Sequence, residues 1–129
     1  MGDGGGLLGA IAGAQHDVFA GIGVDVVDAG SARVKRLVYP AGLRWSVDVK
    51  PLVGTEHCGH AHLGFLAQGA LHGEYADGCG FAFEAPAVVV IEAGHDAWVP
   101  GDTDAVLIQV DFGPDTLSRL DLPSQHPHG

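Results

Sequence analysis

Leu63-Gly-Phe-Leu-Ala-Gln-Gly-Ala-Leu-His-Gly-Glu-Tyr75 holds two short apolar runs, Leu63 to Ala67 and Ala70 to Tyr75, set about Gln68-Gly69. Glycine takes the positive φ of a hairpin turn without penalty, so the stretch predicts a strand, a hairpin turn and a second strand. Ala76-Asp-Gly78 is a second turn of this kind and leads into Phe81-Ala-Phe83. Further on, Ala87-Val-Val-Val-Ile91 is β-branched and uninterrupted, which predicts a central strand covered on both faces, and Ala105-Val-Leu-Ile-Gln-Val-Asp-Phe112 predicts a late strand. Upstream, Arg33-Val-Lys-Arg-Leu-Val-Tyr39 stops at Pro40-Ala-Gly42, and Leu43-Arg-Trp-Ser-Val-Asp-Val49 alternates apolar and polar residues up to Pro51. That alternation predicts a strand with one buried face. Asp115-Thr-Leu-Ser-Arg-Leu120 alone invites a short helix, with Asp115 as its N-cap. Strands spaced every 8 to 12 residues or so predict an all-β sandwich or small barrel.

The chain has 129 residues and is 47% hydrophobic, ample for a single core. The expected organisation is one domain over residues 14–122, between a flexible glycine-rich N-terminal segment, 1–13, and a flexible tail, 123–129, whose two histidines are solvated. His16 is expected to precede the ordered core. Sixteen acidic against six basic side chains give a formal charge of -10, which repels phosphate backbones and anionic lipid and argues against nucleic acid or membrane partners. Leu7 to Ala14 is broken by Gly9 and Gly13 and lacks a basic flank, so neither a signal peptide nor an anchor is expected. Two cysteines, Cys58 and Cys79, are too few for a disulfide framework and fit a reducing cytoplasm, with a single bridge between them left open.

Thr55-Glu-His-Cys-Gly-His-Ala-His62 places three imidazoles and a thiol within eight residues. Imidazole is the commonest nitrogen ligand of divalent transition metals, and two or three converging rings leave an open coordination position. On a straight strand Glu56, Cys58, His60 and His62 share one face, although Gly59 favours a bend. Trp45 and Trp98 are candidates to line a substrate cavity or to pack in the core. His72 falls with Glu74, opposite Leu71, Gly73 and Tyr75, and is expected on the surface. Cys58 has no third group to orient it as a nucleophile, no serine sits in a Gly-x-Ser-x-Gly elbow, and Gly2 to Gly6 lacks the strand and the Lys-Ser/Thr ending of a phosphate loop.

From Trp45 to Phe112 the chain resembles the cupin superfamily, in particular short single-domain bacterial cupins. The likeness is carried by Leu43-Arg-Trp-Ser46, Val49-Lys-Pro-Leu-Val-Gly-Thr55, His62-Leu-Gly-Phe-Leu-Ala-Gln-Gly69 and Gly94-His-Asp-Ala-Trp-Val-Pro-Gly-Asp102. The resemblance implies a cupin-type double-stranded β-helix, a jelly-roll barrel, with a divalent metal inside. Aligned on Gly69, His62 stands at the glutamate position of the first cupin motif, His57 at its second histidine and Thr55 at its first. Aligned on Gly54, His60 and His62 match the two histidines and Leu66 replaces the carboxylate. In the second motif Ala97 stands at the metal histidine, and His95, two residues earlier on the same strand face, is the substitute. The implied ligands are thus His57, His62 and His95, with His60 as alternate, holding Zn, Fe, Ni, Mn or Cu beside a small organic ligand. Oxygenase or isomerase chemistry, binding without turnover, and a metal-free dimerisation domain all remain open. Cupins of this length commonly pair, which implies a homodimer covering exposed sheet edges.

Overall fold

Strand-forming runs punctuated by glycine fold here into two facing antiparallel sheets, in a computed structural model that describes residues 6–54, 62–91 and 94–111. At 62 and 111 it describes the backbone alone. The strands among these residues are β1 (Gln15–Phe19), β2 (Ile22–Ala29), β3 (Ala32–Tyr39), β4 (His62–Gln68), β5 (Ala70–Tyr75), β6 (Gly80–Glu84), β7 (Ala87–Ile91), β8 (His95–Trp98) and β9 (Ala105–Asp111). Six form one sheet in the order β1-β2-β3-β9-β4-β7, and three form the other, β6-β5-β8. Among the described residues no helix is long and apolar enough to cross a membrane.

Period-2 alternation decides which side chains meet between the sheets. On β5, Leu71, Gly73 and Tyr75 point inward and His72 and Glu74 outward, as the sequence pattern implied. Leu37, Leu66, Val89, Ile91 and Leu107 face them from the larger sheet, and all are buried. Gly73 has a packing reason to lack a side chain: a Cβ there would run into the Phe81 ring and the Asp96 carbonyl. The turn at Ala76-Asp77-Gly78 is the expected β5–β6 hairpin, with Gly78 at φ +93° and the Tyr75 amide donating to the Cys79 carbonyl at 2.8 Å.

Four local expectations change. Gly69 has the positive φ expected of it, +78°, but it does not close a hairpin. It hands the chain from one sheet to the other, because β4 pairs with β7 and β9 while β5 pairs with β6 and β8. The pairing of β4 with β9 shifts register between Leu66 and Gln68, just before that handover. A Cβ on Gly69 would lie 2.6 Å from the Asp104 carbonyl, so glycine is needed there for closeness as well as for φ.

Leu43 to Val49 is not a strand. Arg44 makes an isolated bridge to Trp98, after which Trp45–Val49 forms a π-helical turn that runs into a one-turn helix, α1 (Lys50–Val53). Asp48 accepts from the Arg44 backbone N–H at 2.9 Å, Pro51 occupies the first turn of α1, where its missing N–H costs nothing, and Gly54 ends it at φ +77°. The helical turn buries Trp45 and Val49 and leaves Val47 64% exposed. Ala87 to Ile91 is an edge strand rather than a central one, with Val89 and Ile91 inward and Val88 68% exposed. Finally, residues 15–29 form β1 and β2, so His16 belongs to the sheet rather than preceding it. The helix expected at Asp115 to Leu120 lies outside the described residues.

Candidate functional site

β8 sets two different surfaces on its two faces. His95 and Ala97 point between the sheets, whereas Asp96 and Trp98 point away. His95 is 2% exposed and sits opposite Tyr75 in register. Its ring meets Tyr75 and Phe81 edge-on, with centroids 6.3 and 5.9 Å away at interplanar angles of 84° and 79°. Tyr75 and Phe81 in turn pack at 5.4 Å and 56°, so the imidazole is walled by two mutually braced aromatic rings. Gly94, just before it, accepts a hydrogen bond from the Ala76 backbone and anchors the entry to β8.

Of the other expected ligands, only position 62 falls among the described residues, by its backbone. His62 opens β4 opposite Ile91, which ends β7, and His95 follows Ile91 by four positions. The topology therefore brings backbone position 62 and His95 to the same end of the sandwich. His57 and His60, with Glu56 and Cys58, lie outside the described residues. Among the described residues no three of His, Cys, Asp and Glu are grouped so as to hold an ion.

The two tryptophans part company. Trp45 is 9% exposed and packs in the core. Trp98 stands on the outer face of β8 beside His72, on the far side of the strand from His95, and borders an open cleft of about 420 Å³. Cys79 is half-buried, and burial, the Asp77 carboxylate and a hydrogen bond to it all push its thiol up, which disfavours the reactive thiolate.

One cluster escaped the sequence reading. On the outer face of the larger sheet, His16, Asp25 and Arg36 lie side by side across β1, β2 and β3, in direct register. The His16 Nδ1 lies 2.8 Å from Asp25, whose second oxygen accepts from Arg36 Nε at 3.2 Å and Nη2 at 2.9 Å. The Arg36 Nη1 donates to the carbonyls of Leu7 and Gly9 at 2.7 and 2.6 Å. Asp25 and Arg36 are 7% and 8% exposed. Burial alone would push the Asp25 carboxyl up, but hydrogen bonds from His16 and Arg36 and their charges outweigh it and hold the carboxyl below its ordinary value. The available signal was an acidic residue amid Val24-Asp-Val-Val27 and a basic one at the matching parity of Arg33 to Tyr39. Only the strand register makes them partners.

This arrangement of sheets recurs in solved structures. A cupin 2 conserved barrel domain protein of Salinispora arenicola superposes with TM-score 0.56 at 15% identity, over 83% of this chain and 88% of that one. A cupin-2 domain protein of Rhodospirillum rubrum gives TM-score 0.55 at 16% identity, over 90% and 79%. A cupin-like protein of Thermotoga maritima gives 0.51 at 14%, over 70% and 67%. The chain has the cupin fold, and identities this low speak for the fold alone. No family model matches the sequence, and no curated protein does.

Proposed function

We propose that this small cupin holds one divalent transition metal at the His95 end of its sandwich, through His95, His62 and His57 with His60 in reserve, next to a small organic ligand. The observation that carries the reading is the burial of His95 between Tyr75 and Phe81, on the inner face of a jelly roll lined mostly with apolar side chains. A nitrogen donor in such a place suits a borderline metal, and the register of β4 against β7 brings residue 62 to the same end. A metal bound there supplies Lewis acidity to an oxygen of a small organic acid or phenol. The chain's own residues do the rest: Tyr75 and Phe81 fix the ring of His95 and keep water from its flanks, and the apolar interior favours a ligand with an apolar body. Turnover and binding without turnover share this site. Two cysteines without a disulfide framework accord with a cytoplasmic setting.

Elemental analysis of untagged protein tests it. One metal per chain is expected in the wild type and none in His95→Ala or His62→Ala. Metal-free wild type, or full loading of His95→Ala, contradicts the reading.

A second reading concerns assembly. Phe65 is 44% exposed and Val88, its register partner, 68%, and both border Ile108 or each other on the outer face of the six-stranded sheet. Exposed apolar neighbours on an edge favour a homodimer formed over this face.

A further inference from the structure

The outer face of the three-stranded sheet carries a second candidate site, across β8 from His95 and sharing Phe81 with its surroundings. Its cleft, about 420 Å³, is shallow and open to solvent, so it would hold a ligand by one face rather than enclose it. The register explains its shape. His72 on the central strand faces Ala82 on β6 and Trp98 on β8, while Glu74 faces Gly80 and Asp96. Small residues on β6 thus leave a low floor on one side, and the indole of Trp98 forms a wall on the other.

That wall is held in place. The Arg44 guanidinium stacks on the indole, 4.3 Å from its centroid, and is itself fixed by Asp96 Oδ2 at 3.2 Å and Ser46 Oγ at 3.2 Å. Asp96 Oδ1 accepts from the backbones of Ser46 and Ala97, each at 2.9 Å, so its carboxylate is fully engaged in positioning Arg44. By contrast, the side chains of His72 and Glu74 have no hydrogen-bond or ion-pair partner among the described residues. A rigid aromatic plane therefore stands beside one carboxylate and one imidazole that are both available, and rigidity before binding lowers the entropy lost on binding.

We propose that this cleft binds the ring of a neutral sugar, its C–H face against Trp98 and adjacent hydroxyls on Glu74 and His72. Hydroxyl groups donate well to a carboxylate, and an imidazole can accept or donate, so the pair suits two neighbouring hydroxyls. Charge selects against the other ligand classes. Anions meet the carboxylate of Glu74 and a chain of formal charge -10. A cation stacked on the cleft face of Trp98 would meet the positive charge of the Arg44 guanidinium on the other face of the same ring, a repulsion that a neutral sugar does not feel.

The test is a nuclear magnetic resonance titration of the full chain with methyl glycosides of glucose, galactose, mannose and N-acetylglucosamine, and with tetramethylammonium as the cationic probe. At least one glycoside is expected to give saturable shifts in β5, β6, β8 and the Trp98 indole. Trp98→Ala should weaken that binding about tenfold or more, Trp98→Phe much less, and Glu74→Gln several-fold. Treatment of the protein with a metal chelator should leave it unchanged, which keeps this outcome separate from that of the interior metal. Absence of saturation with every glycoside, saturation that survives Trp98→Ala, or preference for tetramethylammonium overturns the proposal.

Discussion

Asp25 shows how much one residue can matter when its partners are fixed by register. Its carboxylate neutralises Arg36, which is as buried as Asp25 and also ties the carbonyls of Leu7 and Gly9 to the sheet. Asp25→Asn leaves that guanidinium without its charge partner, so unfolding at neutral pH should become easier by about 3 kcal/mol. His16 is 62% exposed at its side chain, and His16→Ala should cost under about 1 kcal/mol. The pH dependence follows from the depressed Asp25 value. Folding favours the ionised form, so the contribution is complete above the unfolded-chain value, about pH 4, and is lost as pH falls through the lower folded one. Urea titrations of both proteins between neutral pH and pH 2 or so, the acid limit of that window, should show the wild type losing this advantage over Asp25→Asn. A constant difference across the acid range contradicts the assignment. None of this was legible in the sequence, because the two residues become neighbours only through a pairing of β2 with β3 that local patterns leave unspecified.

At the scale of the element, Trp45 to Val49 shows two periodicities competing for the same residues. Apolar side chains at 45, 47 and 49 satisfy a strand, and those at 45 and 49 also satisfy one helical face. Pro51 fits both, since it ends a strand as readily as it enters the first turn of a helix. One tertiary and one local contact settle the matter, with Asp96 accepting from the Ser46 backbone and Asp48, four residues on, from that of Arg44. Val49→Ala should therefore destabilise the protein by about 2 kcal/mol. Val47→Ala should change stability by no more than about 0.5 kcal/mol. Equal losses for the two in thermal or denaturant unfolding would restore the strand. The Gly78 hairpin was legible because its partners are adjacent in sequence. The destination of the chain after Gly69 was not, because a lone glycine with positive φ serves a hairpin and a change of sheet alike, and distant strands decide between them.

For the whole molecule, alternating short strands and the cupin-like segments sufficed to expect a jelly roll, and parity alone turned His95 inward. The same alternation puts Trp98, three positions on, on the far side of the strand, so the expectation that it lines the barrel cavity was at odds with an inward His95. The exposed outer face of the larger sheet leads to an assembly prediction. Sedimentation should find a dimer for the wild type and a monomer for Phe65→Glu, with unchanged secondary structure; a monomeric wild type, or a dimer indifferent to the substitution, removes the proposed interface. The central claim, however, is a metal at the buried imidazole. It is tested most directly by anomalous diffraction from crystals of the untagged protein at the edge of the metal found in it. The account predicts one peak, about 2.1 Å from a ring nitrogen of His95. A map with no peak there, or with its peak elsewhere on the molecule, would contradict it.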